Sequence, residues 1–140
     1  HAIQMAEVEV NTDTGEIRVI RVTTAVDPGT VINPQNLEGQ LHGGMDQGVG
    51  FALREEYVHG QTKDWVTFKF PTMKTAFDMD VIINQTPRRK GPLGATGVGE
   101  MTMVCTAPAV TNAIYDACGV RIYDLPATPD KIKASLVCKP

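Results

Sequence analysis

Two short runs near the start of the chain set the first pattern. Ala6–Val10 and Ile17–Val26 are rich in β-branched residues and flank the polar stretch NTDTGE, which carries Gly15. Strand-forming runs on either side of a polar, glycine-bearing turn predict a β-hairpin. DPGTVINP then breaks the second strand. Asn33 followed by Pro34 predicts a helix start. The Asn side chain can accept from the free first-turn amides, and proline suits the first helical position, where no N–H is needed. Beyond it Leu37, Leu41, Met45, Val49, Ala52 and Leu53 recur at helical spacing.

Further along, EYVH–GQTKD–WVTFKF predicts a second hairpin turning at Gly60–Asp64, and DMDVIINQ predicts another strand. Val110, Ala113, Ile114 and Ala117 mark an amphipathic helix that Gly119 ends. VRIYDL predicts a short strand. TPDKIKASL predicts a last helix, with Thr128 as cap and Pro129 in the first position. Strands and helices mix without regular βαβ repetition, so the expected class is α+β. The expected unit is a single domain over residues 1–140, long enough to bury a real core.

The first helix is unusual in holding Gly39, Gly43, Gly44, Gly48 and Gly50. Each interior glycine costs about 1 kcal/mol against alanine, so the five together forfeit roughly 5 kcal/mol of helix propensity. A loop with only a short helical part is the plain alternative. In a helix, the pairs Gly39/Gly43 and Gly44/Gly48 bare a face that another backbone or a ligand can approach closely.

Composition narrows the class without naming it. With 42% hydrophobic and 21% charged residues and a net charge of −3, the chain reads as an ordinary globular protein. The run RRK at residues 88–90 is short and reads as a solvated loop, which argues against nucleic acid as a partner. No apolar stretch reaches the length of a membrane span, so no membrane partner is expected. Cys105, Cys118 and Cys138 lack a C-x-x-C pair, and His1, His42 and His59 are scattered, so no metal ligands are assigned. The cysteines read as small buried hydrophobes in a reducing, cytoplasmic setting.

The stretch GPLGATGVGEMTM concentrates the candidate chemistry. Gly94, Gly97 and Gly99 form a G-x-x-G-x-G pattern, and Glu100 is the one charge in it. The pattern is neither the dinucleotide fingerprint nor a P-loop. Glu100 has two readings. It can be a helix-start carboxylate, favourable at the positive end of the macrodipole. The spacing favours that reading over the second, a general base among apolar neighbours Val98, Met101, Met103 and Val104.

The run from Gly91 to the C-terminal helix resembles the end of the molybdenum-binding part of the xanthine dehydrogenase / aldehyde oxidase family, most of all the bacterial aldehyde oxidoreductases. GTVINPQNLEGQLHGGMDQGVGFALREE and the opening hairpin resemble the same family, in the same order. The resemblance implies that Glu100 is the catalytic glutamate. In that family it takes a proton from a water-derived hydroxide as this attacks the carbon of an aldehyde or N-heterocycle. It implies that Thr96, Gly97, Val98 and Gly99 lie against molybdopterin, with Gln47 of DQGVG near the pterin. The cofactor would be molybdenum with the pterin, as the simple form or the cytosine dinucleotide. Iron–sulfur clusters, and FAD where one is present, belong elsewhere in the full enzyme.

Such enzymes have molybdenum parts of several hundred residues, against 140 here. The resemblance therefore implies the C-terminal portion of a molybdenum-cofactor-binding domain, a fragment inactive alone. Its partners would be the remainder of that domain, an iron–sulfur region or subunit, and a small-molecule substrate, within a homo-oligomer. Two other readings stand beside it: a catalytically inactive isolated fragment, and a carrier for the pterin. A carrier has no need of a base at Glu100.

Overall fold

The computed structural model describes residues 1–137. The opening hairpin forms as expected but starts earlier, with β1 over Ala2–Val10 and β2 over Ile17–Val26. The two are antiparallel, with an irregularity between Glu7 and Val8. β3, Asp78–Ile83, pairs in parallel with β2, from Arg21 opposite Asp78 to Val26 opposite Ile83. The sheet order is β1-β2-β3. A parallel pair needs a crossover, and the long first helix lies within it.

That helix, α1, spans Pro34–Leu53 unbroken, so the loop alternative is set aside. Asn33 caps it, accepting from the Asn36 N–H at 3.0 Å, and Pro34 opens the first turn. The second hairpin expected at Gly60–Asp64 does not form. Trp65–Phe68 is a single helical turn, α2, in place of a strand. The Asp64 carboxylate accepts from the Thr67 N–H at 2.8 Å, while the Asp64 N–H donates to the Thr67 hydroxyl at 3.1 Å. This capping box satisfies the turn locally, and Lys69 leaves it in a left-handed conformation at φ 65°. The apolar spacing of the segment mimicked a strand, but its hydrogen bonds close on themselves.

α3 runs over Met101–Cys118, well upstream of the Val110 where the amphipathic spacing becomes clear. Pro108 sits inside it on the exposed face, above exposed Val104. Proline there cannot bond the carbonyl one turn back, and on a wet face water can take that carbonyl instead. Gly119 closes the helix at φ 69°, and its N–H reaches the Tyr115 carbonyl. The expected VRIYDL strand does not form, because the sheet offers it no neighbour. Arg121 turns back on α3 instead, stacked on the Tyr115 ring at 3.6 Å and donating to Asn112. α4, Pro129–Val137, starts at Thr128 and Pro129 as expected and buries Ile132.

α1 and α3 cover one face of the sheet. Met45, Val49 and Ala52 of α1 and Ala107, Val110 and Ile114 of α3 meet Val22, with Ala6, Val8 and Val19 packed around them. Fully burying side chains such as Met45 and Ile114 contributes about 1.5–3 kcal/mol each. The helices run parallel, since Gly44 lies against Thr102 and Gly48 against Thr106, in matching order. That contact is where the glycines matter. A Cβ on Gly48 would meet the Thr106 Cβ, and one on Gly44 would meet the Thr102 hydroxyl. The lost helix propensity is offset by this close approach of two helices.

Candidate functional site

The glycine loop between β3 and α3 is tied to the turn that leaves β2. The Thr30 N–H and the Arg88 N–H both donate to the Gly94 carbonyl, at 3.0 and 2.9 Å. The Thr96 N–H and hydroxyl both donate to the Pro28 carbonyl, at 2.9 and 3.1 Å. Gly29 and Ala95 form an isolated antiparallel bridge. The turn residues DPGT therefore act as the floor of the loop.

Asp27 is the electrostatic centre of that floor. It accepts from the Gly29 N–H at 3.0 Å and from the Thr86 N–H at 3.1 Å, and Arg88 stands 3.3 Å from its carboxylate. The Thr86 side chain, then the Gly29 N–H and the Thr86 N–H, with Arg88 adding its charge, lower its pKa from 3.8 to about 2 against a smaller opposing effect of burial. Reading RRK as a solvated run thus needs correction at Arg88, which is half-buried and also donates to the Asp27 carbonyl at 2.9 Å. Arg89 and Lys90 are exposed as expected. A cation one turn before a glycine loop, facing an Asp-Pro-Gly turn, was the available signal for this pair.

The loop ends against α1. Val98 packs on the cluster of Val26, Leu37 and Leu41. Gln40 of α1 donates its Nε2 hydrogen to the Gly99 carbonyl at 2.7 Å, a contact the spacing alone did not single out. Glu100 follows at once, in the N-cap position of α3, exposed, with no side-chain cap hydrogen bond. Among the described residues its carboxylate has no hydrogen-bond or ion-pair partner. Gln47 is exposed on α1, seven residues on from Gln40 and so on the same helix stripe, without a side-chain hydrogen bond among the described residues. The structure thus brings Thr96, Gly97, Val98, Gly99 and Glu100 together with Gln40. Gln47 lies about two turns further along.

The glycines divide into two kinds. Gly29, Gly91 and Gly94 of the loop and its floor, and Gly44, Gly48 and Gly50 of α1, have atoms where a Cβ would go. Gly39 and Gly43 on α1, and Gly97 and Gly99 in the loop, have nothing within 4 Å of that position and no left-handed backbone. Among the described residues nothing requires glycine there. Bare backbone with open space before it is what a cofactor lying against the loop would need, so these residues fit such a group. Elsewhere, no cluster of three or more metal-ligating side chains forms among the described residues. Cys105 and Cys118 are half-buried rather than buried, and Cys138 lies outside the described residues. No helix among the described residues is long and apolar enough to cross a membrane.

Fold and site together define an α+β module whose distinctive face is bare glycine backbone beside a carboxylate without a hydrogen-bond or ion-pair partner among the described residues. The comparisons give that class its family. The model of the molybdopterin cofactor-binding domain matches residues 1–77, just over half of the chain, and the chain belongs to this family. It is 39% identical to the aldehyde oxidoreductase of Megalodesulfovibrio gigas, over 97% of this chain and 15% of that protein. It is 32% identical to the probable hypoxanthine oxidase of Escherichia coli, over 97% and 15% respectively. The solved aldehyde oxidoreductase from Desulfovibrio gigas superposes with a TM-score of 0.95 at 38% identity, over 98% of this chain and 15% of that one. The chain spans about 15% of the length of these relatives.

Proposed function

We propose that this chain is the part of a molybdenum hydroxylase that supplies the proton-accepting carboxylate, with Glu100 as general base. The observation that carries the reading is the pairing of Gly97 and Gly99, beside which the described residues leave open space, with a Glu100 that makes no side-chain cap hydrogen bond. A structural helix-start carboxylate would be expected to bond its own first-turn amides. The backbone of Thr96, Gly97, Val98 and Gly99 would lie against molybdopterin, and the exposed Gln47 amide would offer it a donor. In this reading residues 1–140 form one domain, the C-terminal portion of a molybdenum-cofactor-binding domain. The rest of that domain and an iron–sulfur region or subunit are its partners.

When bound, molybdenum with its pterin supplies the two-electron acceptor and a water-derived nucleophile. The chain's own part is acid–base and positional. A Glu100 carboxylate oxygen accepts the proton that the nucleophile loses as it attacks an aldehyde or N-heterocycle carbon. Among the described residues the carboxylate has no competing partner, so no such hydrogen bond must break before it accepts. Thr96 and Val98, anchored on Pro28 and on α1, keep the loop between them from shifting under the cofactor.

Glu100→Gln in the holoenzyme tests the assignment. It keeps the size and hydrogen-bonding reach of the side chain but cannot take the proton. Turnover per molybdenum is expected to fall about 10²–10⁴-fold, with molybdenum content retained. Turnover within a few-fold of wild type would leave Glu100 a helix-start residue.

A further inference from the structure

The glycine loop is anchored unequally along its length. Thr96 is held by two hydrogen bonds to Pro28, and Val98 by packing on Val26, Leu37 and Leu41. Gly99 has neither kind of support. It lacks a side chain, and the space beside its Cα is open to 4 Å. It is held instead by Gln40, whose Nε2 amide donates to the Gly99 carbonyl at 2.7 Å.

That carbonyl belongs to the peptide that ends on Glu100. A peptide unit is planar, so its oxygen, the Glu100 nitrogen and the Glu100 Cα move together. Fixing the oxygen fixes the direction in which Glu100 leaves the loop. The Glu100 side chain has no cap hydrogen bond to orient it, and the first-turn bond from the Val104 N–H to the Glu100 carbonyl is long, at 3.3 Å. The attitude of the carboxylate is therefore set through the backbone, and α1 reaches that backbone through Gln40.

We propose that Gln40 is a positioning residue for Glu100, holding the Gly99–Glu100 peptide against α1 so that the carboxylate keeps a fixed approach. The inference rests on the reading of Glu100 as base. Gln40 is exposed, and an exposed neutral hydrogen bond contributes little to folding. Its loss is expected to show in catalysis before it shows in stability.

Gln40→Met keeps the side-chain length and removes the donor. In the molybdenum-loaded holoenzyme, kcat per molybdenum is expected to fall roughly tenfold. That lies between the loss of one hydrogen bond, about fivefold, and an ångström of misplacement, about 100-fold. KM, molybdenum content and Tm are expected to hold, while hydrogen exchange quickens at the Val104 amide and stays unchanged at Val110. In a Glu100→Gln background the same substitution is expected to cost nothing further. Should Glu100→Gln by itself leave turnover intact, the base reading fails and carries this inference with it. Should Glu100→Gln slow turnover while Gln40→Met leaves kcat unchanged, or slows it equally in both backgrounds, Gln40 does not act through Glu100. Loss of molybdenum or Tm in step with the rate would make Gln40 a structural tie and overturn the proposal as well.

Discussion

The hydroxyl of Thr102 occupies the place where a Cβ on Gly44 would stand. That hydroxyl is fully buried and has no hydrogen-bond partner among the described residues, so the contact is steric rather than polar. One turn on, Gly48 lies against the Thr106 Cβ, whose hydroxyl donates to the Thr102 carbonyl at 2.8 Å.

Gly44→Ala is therefore expected to destabilise the protein by about 1–3 kcal/mol, although alanine is the better helix former. Thr102→Ala removes both the obstructing hydroxyl and an unsatisfied buried group, and the double variant is expected to recover most of the loss. Gly43→Ala has open space before it and is expected to be neutral or stabilising by up to about 1 kcal/mol. Urea denaturation of the four variants checks this. Equal effects at Gly43 and Gly44 would show that the helices do not meet as described.

Acid stability is expected to carry two opposed contributions. Asp27 has its pKa lowered to about 2, so its contribution is complete above the ordinary value of 3.8 and is lost as pH falls toward 2. Glu55 has its pKa raised above 4.5, by burial and then by the nearby Asp46. A raised carboxylate costs stability above its folded pKa, and that cost disappears as pH falls to the ordinary range. Asp27→Asn is expected to flatten the fall of Tm below pH 4, and Glu55→Gln the slope on the neutral side. Tm measured against pH for each variant reads these slopes. Unaltered slopes would mean that other groups carry them.

Trp65, the only tryptophan, is 72% exposed, and its chain neighbour Val66 is 84% exposed. Trp65 meets Phe68 and Phe70 edge-on, and α2 buries nothing. A patch of this kind favours association. The 140-residue chain is expected to self-associate as concentration rises, with a blue shift of its tryptophan emission, and Trp65→Ser to weaken this. Sedimentation across a concentration series decides it, and a strictly monomeric chain would remove the patch from consideration.

Much of the fold was legible wherever a local rule acts alone. Asn33–Pro34, Gly119 and Thr128–Pro129 each mark a helix end through bonds made within a few residues. The failures lie where local and distant terms compete. VRIYDL has strand propensity but no strand beside it, and propensity without a ladder does not make a strand. The turn at Trp65–Phe68 was set by a reciprocal Asp64–Thr67 bond that hydrophobic spacing cannot show. At the site, the glycine loop and Glu100 were singled out by the family resemblance, since the glycine spacing alone left Glu100 open between a helix-start carboxylate and a base. Gln40 and Arg88 were not, since their partners lie 59 and 61 residues away.

The parallel pairing of β2 with β3 has a consequence for the order in which the chain assembles. The β1–β2 hairpin closes over a short turn, whereas β3 can dock on β2 only after residues 27–77 have been brought round. Long closures are entropically expensive and slow. The floor at Asp27–Thr30 leaves the hairpin directly, yet Arg88, Gly94 and Thr96 can reach it only once that closure is made. The glycine loop is thus expected to be among the last parts to acquire its native shape. During synthesis the hairpin would form early, and the glycine loop would take shape only after β3 and residues 84–96 had followed it.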